Sequence, residues 1–285
     1  MPTTVDSIEV ERSVPWMETV KFPSWAVFQS YIGKSPSGGC EFVYRGQRCD
    51  NWLLQSSLSR ILMSDAKYRS MSDADRKLCV DQHYDGFRYA IRGRRGPLAG
   101  ELIGDYLWAL GQHHGLATPL LDWSMSPYVA AYFAFWEDGY PPTDFRVVFA
   151  ANKDAIQSHC RAIRSKAGGG NIPDVAFFSP LSEDNSRLTN QGGLFSRLPI
   201  DTDLESWLAE YHSPDWNEPV LYKLLIPNPE SATVVRSLAQ MNINGLTLFP
   251  DLSGSALFCN TALRREGYAH HLGSPPPMKM RIQRM

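Results

Sequence analysis

The stretch Gln112–Trp136 reads QHHGLATPLLDWSMSPYVAAYFAFW, and it holds a helix end, a short strand and a second helix in one run. Upstream, Glu101 to Gly115 predicts a helix with Leu102, Ile103, Tyr106, Leu107 and Leu110 on one stripe and Gly115 as its stop. Gln112 and His113 then fall on the last turn. Thr118-Pro119 forces an extended connection, and Leu120-Leu121-Asp122-Trp123 is too short for anything but a buried strand or turn. Ser126 and Pro127 are suited to N-cap and first helical position of a helix reaching Trp136, with Val129, Tyr132, Phe133 and Trp136 on its inner face. Burying the polar groups of so apolar a run without partners would cost about 1–3 kcal/mol each. They therefore meet partners inside the fold or serve a ligand, and the run is expected to form one wall of a nucleotide-sized pocket.

Working outward toward the N-terminus, residues 1–14 read as a flexible or edge-pairing lead-in, and Pro23-Ser24-Trp25 opens a short helix with Trp25, Phe28 and Ile32 on one face. After the loop GKSPSGG, Glu41-Phe42-Val43-Tyr44 is a strand signal that places Arg45 at a strand end, where Gly46 frees the backbone. Ser72 caps a predicted helix over about 73–91. It runs into RYAIRGRRG, read as a solvated helix end whose arginines complement the helix dipole, with a phosphate or RNA contact as the alternative. Toward the C-terminus the pattern changes to strands at 146–150, 175–178 and 220–226. The turn-forming Asn190-Gln191-Gly192-Gly193 sits between strands. A helix over 230–241, a short strand over 247–252 and a last helix over 255–265 complete the chain, before a flexible tail at 273–285. No repeat or boundary divides it, so one α+β domain over 1–272 is expected.

The net charge of −2, from 28 basic and 30 acidic side chains, gives no global field to draw the protein onto nucleic acid or an anionic membrane. Five cysteines, an odd number with no CxxC pair, argue against a disulfide framework and a zinc knuckle and favour a reducing compartment. The N-terminus has no apolar core of the signal-peptide kind, and the longest apolar run, Tyr128–Trp136, is too short to span a bilayer. A soluble cytoplasmic protein without membrane contact is the expectation.

Metal binding is unfavoured by spacing. His113-His114 and His270-His271 are adjacent pairs, whose side chains diverge by about 100° on a helix. There is no GxSxG, P-loop or GxGxxG after a strand. What remains is a set of polar residues at element ends: Arg45, Gln47, Gln112, His113, Asp122, Ser124, Ser126, Asn190, Gln191 and Asp251. Arg45 can bind a diphosphate through its planar fork or pair with Asp122 as a buried structural ion pair, and spacing leaves both open.

The segments Tyr44–Gln47, Gln112–Gly115, Thr118–Ser124, Ser126–Ala134, Arg187–Phe195 and Leu248–Leu252, in this order, resemble the FRG domain, a family named for its Phe/Tyr-Arg-Gly motif. That resemblance implies a setting in bacterial toxins or anti-phage defence. Tyr44-Arg45-Gly46 and Ser124-Met125-Ser126, with Val129, Ala130 and Phe133, are also similar to mono-ADP-ribosyltransferases of the Arg-Ser-Glu type. The implied fold is an ADP-ribosyltransferase-like split mixed or antiparallel sheet with N-terminal and flanking helices. NAD is the implied substrate. Arg45, Gly46, Gln47, Gln112, Ser124, Ser126, Asn190 and Gln191 would then hold it.

Those enzymes place a glutamate just before a strand resembling Val-Leu-Ile-Pro, whereas here Lys223 precedes Leu224-Leu225-Ile226-Pro227 and Glu218 lies upstream. Asp122 and Asp251 are the substitute carboxylates, and His113, with an unperturbed pKa of about 6.5, can accept a proton. Two functions are carried forward: ADP-ribose transfer to a macromolecule or NAD hydrolysis, and non-catalytic sensing of a nucleotide, nucleic acid or phage protein.

Overall fold

The computed structural model describes residues 7–34, 41–95, 102–137, 143–166, 174–180 and 186–265. Two strands, β1 (Glu9–Val14) and β2 (Met17–Lys21), precede α1 (Trp25–Lys34) and β3 (Phe42–Gln47). Four helices follow: α2 (Ser57–Ser64), α3 (Ala66–Arg69), α4 (Asp73–Ala90) and α5 (Asp105–His113). Then come β4 (Leu120–Ser124), α6 (Pro127–Phe135), β5 (Phe145–Asn152), α7 (Lys153–Lys166), β6 (Ala176–Phe178), α8 (Ser186–Asn190) and β7 (Gly193–Arg197). The last elements are α9 (Leu204–Tyr211), β8 (Leu221–Pro227), α10 (Ser231–Gln240), α11 (Gly245–Leu248) and α12 (Leu252–Arg265).

The eight strands form one mixed sheet in the order β1-β2-β8-β5-β3-β4-β7-β6, in which β2 and β8 run parallel and the other pairs antiparallel. The α+β class with a mixed sheet is therefore the observed architecture. At the centre lies β5, whose sequence Arg146–Ala151 is buried throughout because helices cover both faces. Val147, Phe149 and Ala151 point into one core with Ile156 of α7 and Leu204 and Trp207 of α9. Val148 and Ala150 point into the other, with Trp25 and Phe28 of α1, Phe135 of α6 and Val234 of α10. Period-2 alternation thus sorts one strand's side chains between two hydrophobic layers. A third, smaller cluster joins Leu58, Trp108, Ala109, Leu120 and Phe195.

The sheet is uneven. Along its other edge β3 pairs β5 from Phe42–Asn152 to Gln47–Val147, whereas it meets β4 only at Tyr44–Ser124. The two halves of the sheet therefore part on one side of β3, beside Arg45. Inside the core Arg146, 2% exposed, donates through Nε to Asn228 Oδ1 (2.9 Å) and through Nη1 to the carbonyls of Ala134 (2.7 Å) and Glu137 (3.1 Å). Its guanidinium satisfies carbonyls at and beyond the C-terminal end of α6 and lies over the Phe135 ring at 5.0 Å.

Several local expectations hold. Ser72 accepts from Asp75 N at 3.2 Å and caps α4, and Ser126 accepts from Val129 N at 3.3 Å with Pro127 opening α6. Arg94 donates to the Ala90 carbonyl at 2.9 Å, in keeping with arginines that serve a helix end. The expected strand over 247–252 is instead α11 followed by the start of α12. Asn244 Oδ1 accepts from Leu246 N (2.9 Å) and Thr247 N (3.3 Å), and Thr247 Oγ1 accepts from Asn244 N (3.1 Å). This reciprocal cap outweighs the strand propensity of Thr-Leu-Phe. Leu252, rather than Ser255, begins the last helix. The 186–193 turn is a short helix running into β7. The 273–285 tail lies outside the described residues.

Candidate functional site

Arg45 is not at a strand end as expected: β3 continues through Gly46 to Gln47, paired with β5 throughout, and Gly46 is needed there for packing. A Cβ placed on it would lie 1.8 Å from the Ala130 carbonyl oxygen and 2.7 Å from Ala134 N, so α6 rests directly on the β3 backbone. That close approach sets α6 against the parting between β3 and β4. A cavity of about 370 Å³ opens there. Its polar wall carries Arg45, Gln112, His113, Asp122, Ser124, Arg187 and Gln191, and its apolar wall includes Tyr44, Trp123, Phe133, Trp136, Phe195 and Phe249.

One side of the cavity is a relay. Thr118, fully buried, accepts from Leu120 N at 3.3 Å and donates its hydroxyl to Gln112 Oε1. The Gln112 amide is thereby turned so that Nε2 donates to Asp122 Oδ1 at 2.8 Å. Arg45 Nη1 donates to the Asp122 carbonyl at 2.7 Å, and the ion pair to Asp122 Oδ2 is longer at 3.6 Å. The Asp122 side chain is 62% exposed, so the pair is not the buried structural bridge that spacing left open. Burial lowers the pKa of Arg45 and the Asp122 charge opposes that shift. Arg45 Nε is buried without a hydrogen-bond partner. The same holds for Nε of Arg48 and Arg76, neither of which lines the cavity, so it is the place of the Arg45 side chain on the cavity wall that sets it apart.

The serine pair has structural duties. Ser124 Oγ donates to the Gln191 carbonyl (2.6 Å) and accepts from Ser126 N (3.0 Å), which ties β4 to the turn where Gly192 adopts φ +53°. Ser126 caps α6 and does not line the cavity. Asn190 Nδ2 and Gln191 Nε2 donate to the carbonyls of Thr247 (3.0 Å) and Leu248 (3.2 Å), so both hold α11 in place; of the two, only Gln191 reaches the cavity wall. Gln47 is buried at 7% exposure, donates to the Leu53 carbonyl at 3.3 Å and lies away from the cavity.

Arg187 also lines the cavity, although it is absent from the residues singled out by sequence and only opens the Arg187–Phe195 segment. Its Nε donates to Asp251 Oδ2 at 2.7 Å, and its guanidinium lies over the Phe249 ring at 5.4 Å. Phe249 in turn meets Phe133 edge-on at 5.9 Å and Trp136 at 6.3 Å. No spacing rule connects residue 187 to residue 45, and only the chain's path through β7 brings them to one cavity.

Asp251 is not on the cavity wall. Its Oδ1 accepts from Gly254 N at 2.9 Å at the start of α12, and this bond, with Arg187, holds its carboxyl below the usual range. His113 is on the wall; burial lowers its pKa first, with His114 and Arg187 adding to the shift. That shift favours the neutral imidazole, the form that can accept a proton. Among the described residues the wall carries no glutamate, and Asp122 is its carboxylate. Lys223 and Glu218 are also off it, since β8 is separated from the parting by β5 and β3.

Among the described residues no group of three or more His, Cys, Asp or Glu side chains could hold a metal ion, and no helix is long and apolar enough to cross a membrane. Cys49, Cys79, Cys160 and Cys259 are free thiols. Comparison with curated proteins and with solved structures finds no match. Residues 40–140, which contain Tyr44-Arg45-Gly46 of β3, the Gln112–Asp122 relay and α6, match the family model of the FRG domain.

Proposed function

We propose that the cavity between β3 and β4 binds a nucleotide diphosphate, NAD first among candidates, and that the protein transfers ADP-ribose to a macromolecular acceptor or to water. The observation that carries this reading is that Arg45 and Arg187 line one cavity together with Phe133, Trp136 and Phe249. Two guanidinium groups suit the two charges of a diphosphate, and the aromatic wall formed by Phe133, Trp136 and Phe249 suits the face of a base or nicotinamide ring. In this reading the bond between nicotinamide and ribose C1′ breaks with its electron pair leaving on nicotinamide. The acceptor or water then adds at C1′ and gives up a proton. Asp122 stands closest to the role of stabilising the positive charge that develops on the ribose, and neutral His113 takes the proton.

A second reading, nucleotide recognition without turnover as a sensor in a toxin or anti-phage setting, draws on the lack of a wall glutamate among the described residues and on Asp122 being held by Gln112 and Arg45. Nicotinamide release from NAD, measured with and without cell lysate as acceptor, separates the two. Release that disappears in Asp122→Asn supports transfer. Thermal stabilisation by NAD or ADP-ribose without release supports sensing, and neither stabilisation nor release removes both.

A further inference from the structure

On the same face of the sheet as α1, Tyr44, Ala150, Tyr222 and Glu18 form one row across four strands. Tyr44 pairs with Ala150, Ala150 with Tyr222, and Tyr222 with Glu18. Residues paired directly across strands project to one face. Ala150 between two tyrosines leaves a hollow, and Tyr31 of α1 covers it. Phe42, beside Tyr222 with ring centroids 5.8 Å apart and planes at 61°, adds a further aromatic side. Glu41 and Glu218, each just before a strand, join Glu18 on the wall of this cavity of about 510 Å³.

Carboxylates dominate the charge around this hollow. Glu18, Glu41 and Glu218 have no ion-pair partner among the described residues. Arg12, whose charge reaches Tyr222, donates to the carbonyls of Pro15 (2.8 Å) and Asn217 (3.5 Å). Tyr44 is 8% exposed and lines the hollow, yet its hydroxyl has no hydrogen-bond partner among the described residues. Burial first, then Glu18 and Glu218, push the Tyr222 phenol up to about 12, and burial with Glu18 raises Tyr31. The negative field that opposes a phenolate attracts a cation.

We propose that this hollow binds an organic cation, an alkylammonium group seated against the faces of Tyr31, Phe42 and Tyr222 and neutralised by Glu18 and Glu218. Aromatic faces with nearby carboxylates are the chemistry that recognises substituted ammonium ions. The site stands independently of any nucleotide in the first cavity, although Tyr44 belongs to both walls. The same group is offered by a free polyamine or by a lysine side chain of a partner protein.

Calorimetric titration of the full chain at matched ionic strength tests this, with tetramethylammonium, spermidine and Nα-acetyl-lysine methylamide as cations and 3,3-dimethylbutanol as an uncharged isostere of choline. The expected result is saturable binding of at least one cation, none of the isostere, and weakening by about tenfold or more in the Glu18→Gln, Glu218→Gln double variant. The double variant is first checked for an unchanged melting temperature. Ala150→Leu fills the floor of the hollow and abolishes binding without touching charge. Tighter binding of spermidine identifies a free polyamine, and tighter binding of the lysine derivative identifies a side chain. Equal binding of the isostere, an undiminished affinity in the folded double variant, or no saturation by any of the three cations overturns the proposal.

Discussion

The two edges of β3 contrast sharply. Toward β5 the ladder runs the length of the strand, flanked by Val147, Phe149 and Ala151 on one face and Val148 and Ala150 on the other. Toward β4 the strands meet at one pair and then part, and side-chain hydrogen bonds among Arg45, Asp122 and Gln112 stand in place of backbone pairing beside the cavity. The closed edge supplies burial and cooperativity, while the open edge leaves a cavity, lined by Arg45, that a continuous ladder would have closed. A sheet can afford such a parting only where neighbouring helices bridge it, and α6 does so by resting on Gly46.

The contrast is open to attack from either edge. On the closed edge, Phe149→Ala should remove about 4 kcal/mol of unfolding free energy, because a fully buried ring leaves a cavity in the main core. Urea denaturation measures it, and a loss under about 1 kcal/mol would show that β5 is not the centre of the cooperative unit. At the boundary of the two edges, Gly46→Ala should cost about 2 kcal/mol through overpacking against the Ala130 carbonyl, with loss of any nucleotide-induced thermal shift. A variant that kept both stability and ligand response would mean that α6 does not need this close approach.

A third experiment uses pH. Glu205 of α9 accepts from Leu54 N at 2.9 Å, on the core side that holds Leu54 and Trp207, and burial raises its carboxyl from 4.5 to about 7. A raised folded-state pKa means that its contribution is fully present below pH 4.5 and is lost as pH rises through 7. Stability should therefore fall by about 2 kcal/mol between pH 5 and pH 8, and Glu205→Gln should flatten that slope. A slope unchanged in the variant assigns the dependence elsewhere. The smallest effect on stability belongs to the open edge. Arg45→Ala should change the unfolding free energy by less than about 1 kcal/mol, since its partner carboxylate is largely solvated, yet abolish stabilisation by NAD or ADP-ribose. A sharp drop in melting temperature would instead make Arg45 a structural residue.

Much of the architecture was legible. Caps at Ser72 and Ser126, the apolar run of β5 and the extended Leu120–Trp123 segment follow from local chemistry that any fold would respect. Other elements were not. The stripe of α7 buries only Ile156 and Cys160, too sparse to stand out, and α9 announces itself mainly through Asp203, which accepts from Ser206 N at 2.9 Å. The 247–252 segment misled because Thr-Leu-Phe favours a strand while the deciding cap lies upstream at Asn244. Within the site, Arg45, Gln112, His113, Asp122, Ser124 and Gln191 meet on one wall. Asp251, Asn190 and Ser126 are occupied in holding helices, and Gln47 is buried elsewhere.

Sequence alone determined the elements around Gln112–Trp136, the strand that carries Tyr44 and Arg45 and the match of residues 40–140 to the FRG domain, because caps, periodicity and motif order are local properties of the chain. Tertiary structure alone decided that β3 and β4 part after one pair, that Arg187 faces the cavity of Arg45, and that Glu18, Ala150 and Tyr222 share a row with Tyr44. Strand order and register bring together residues far apart in sequence, and no local preference encodes which strand lies beside which.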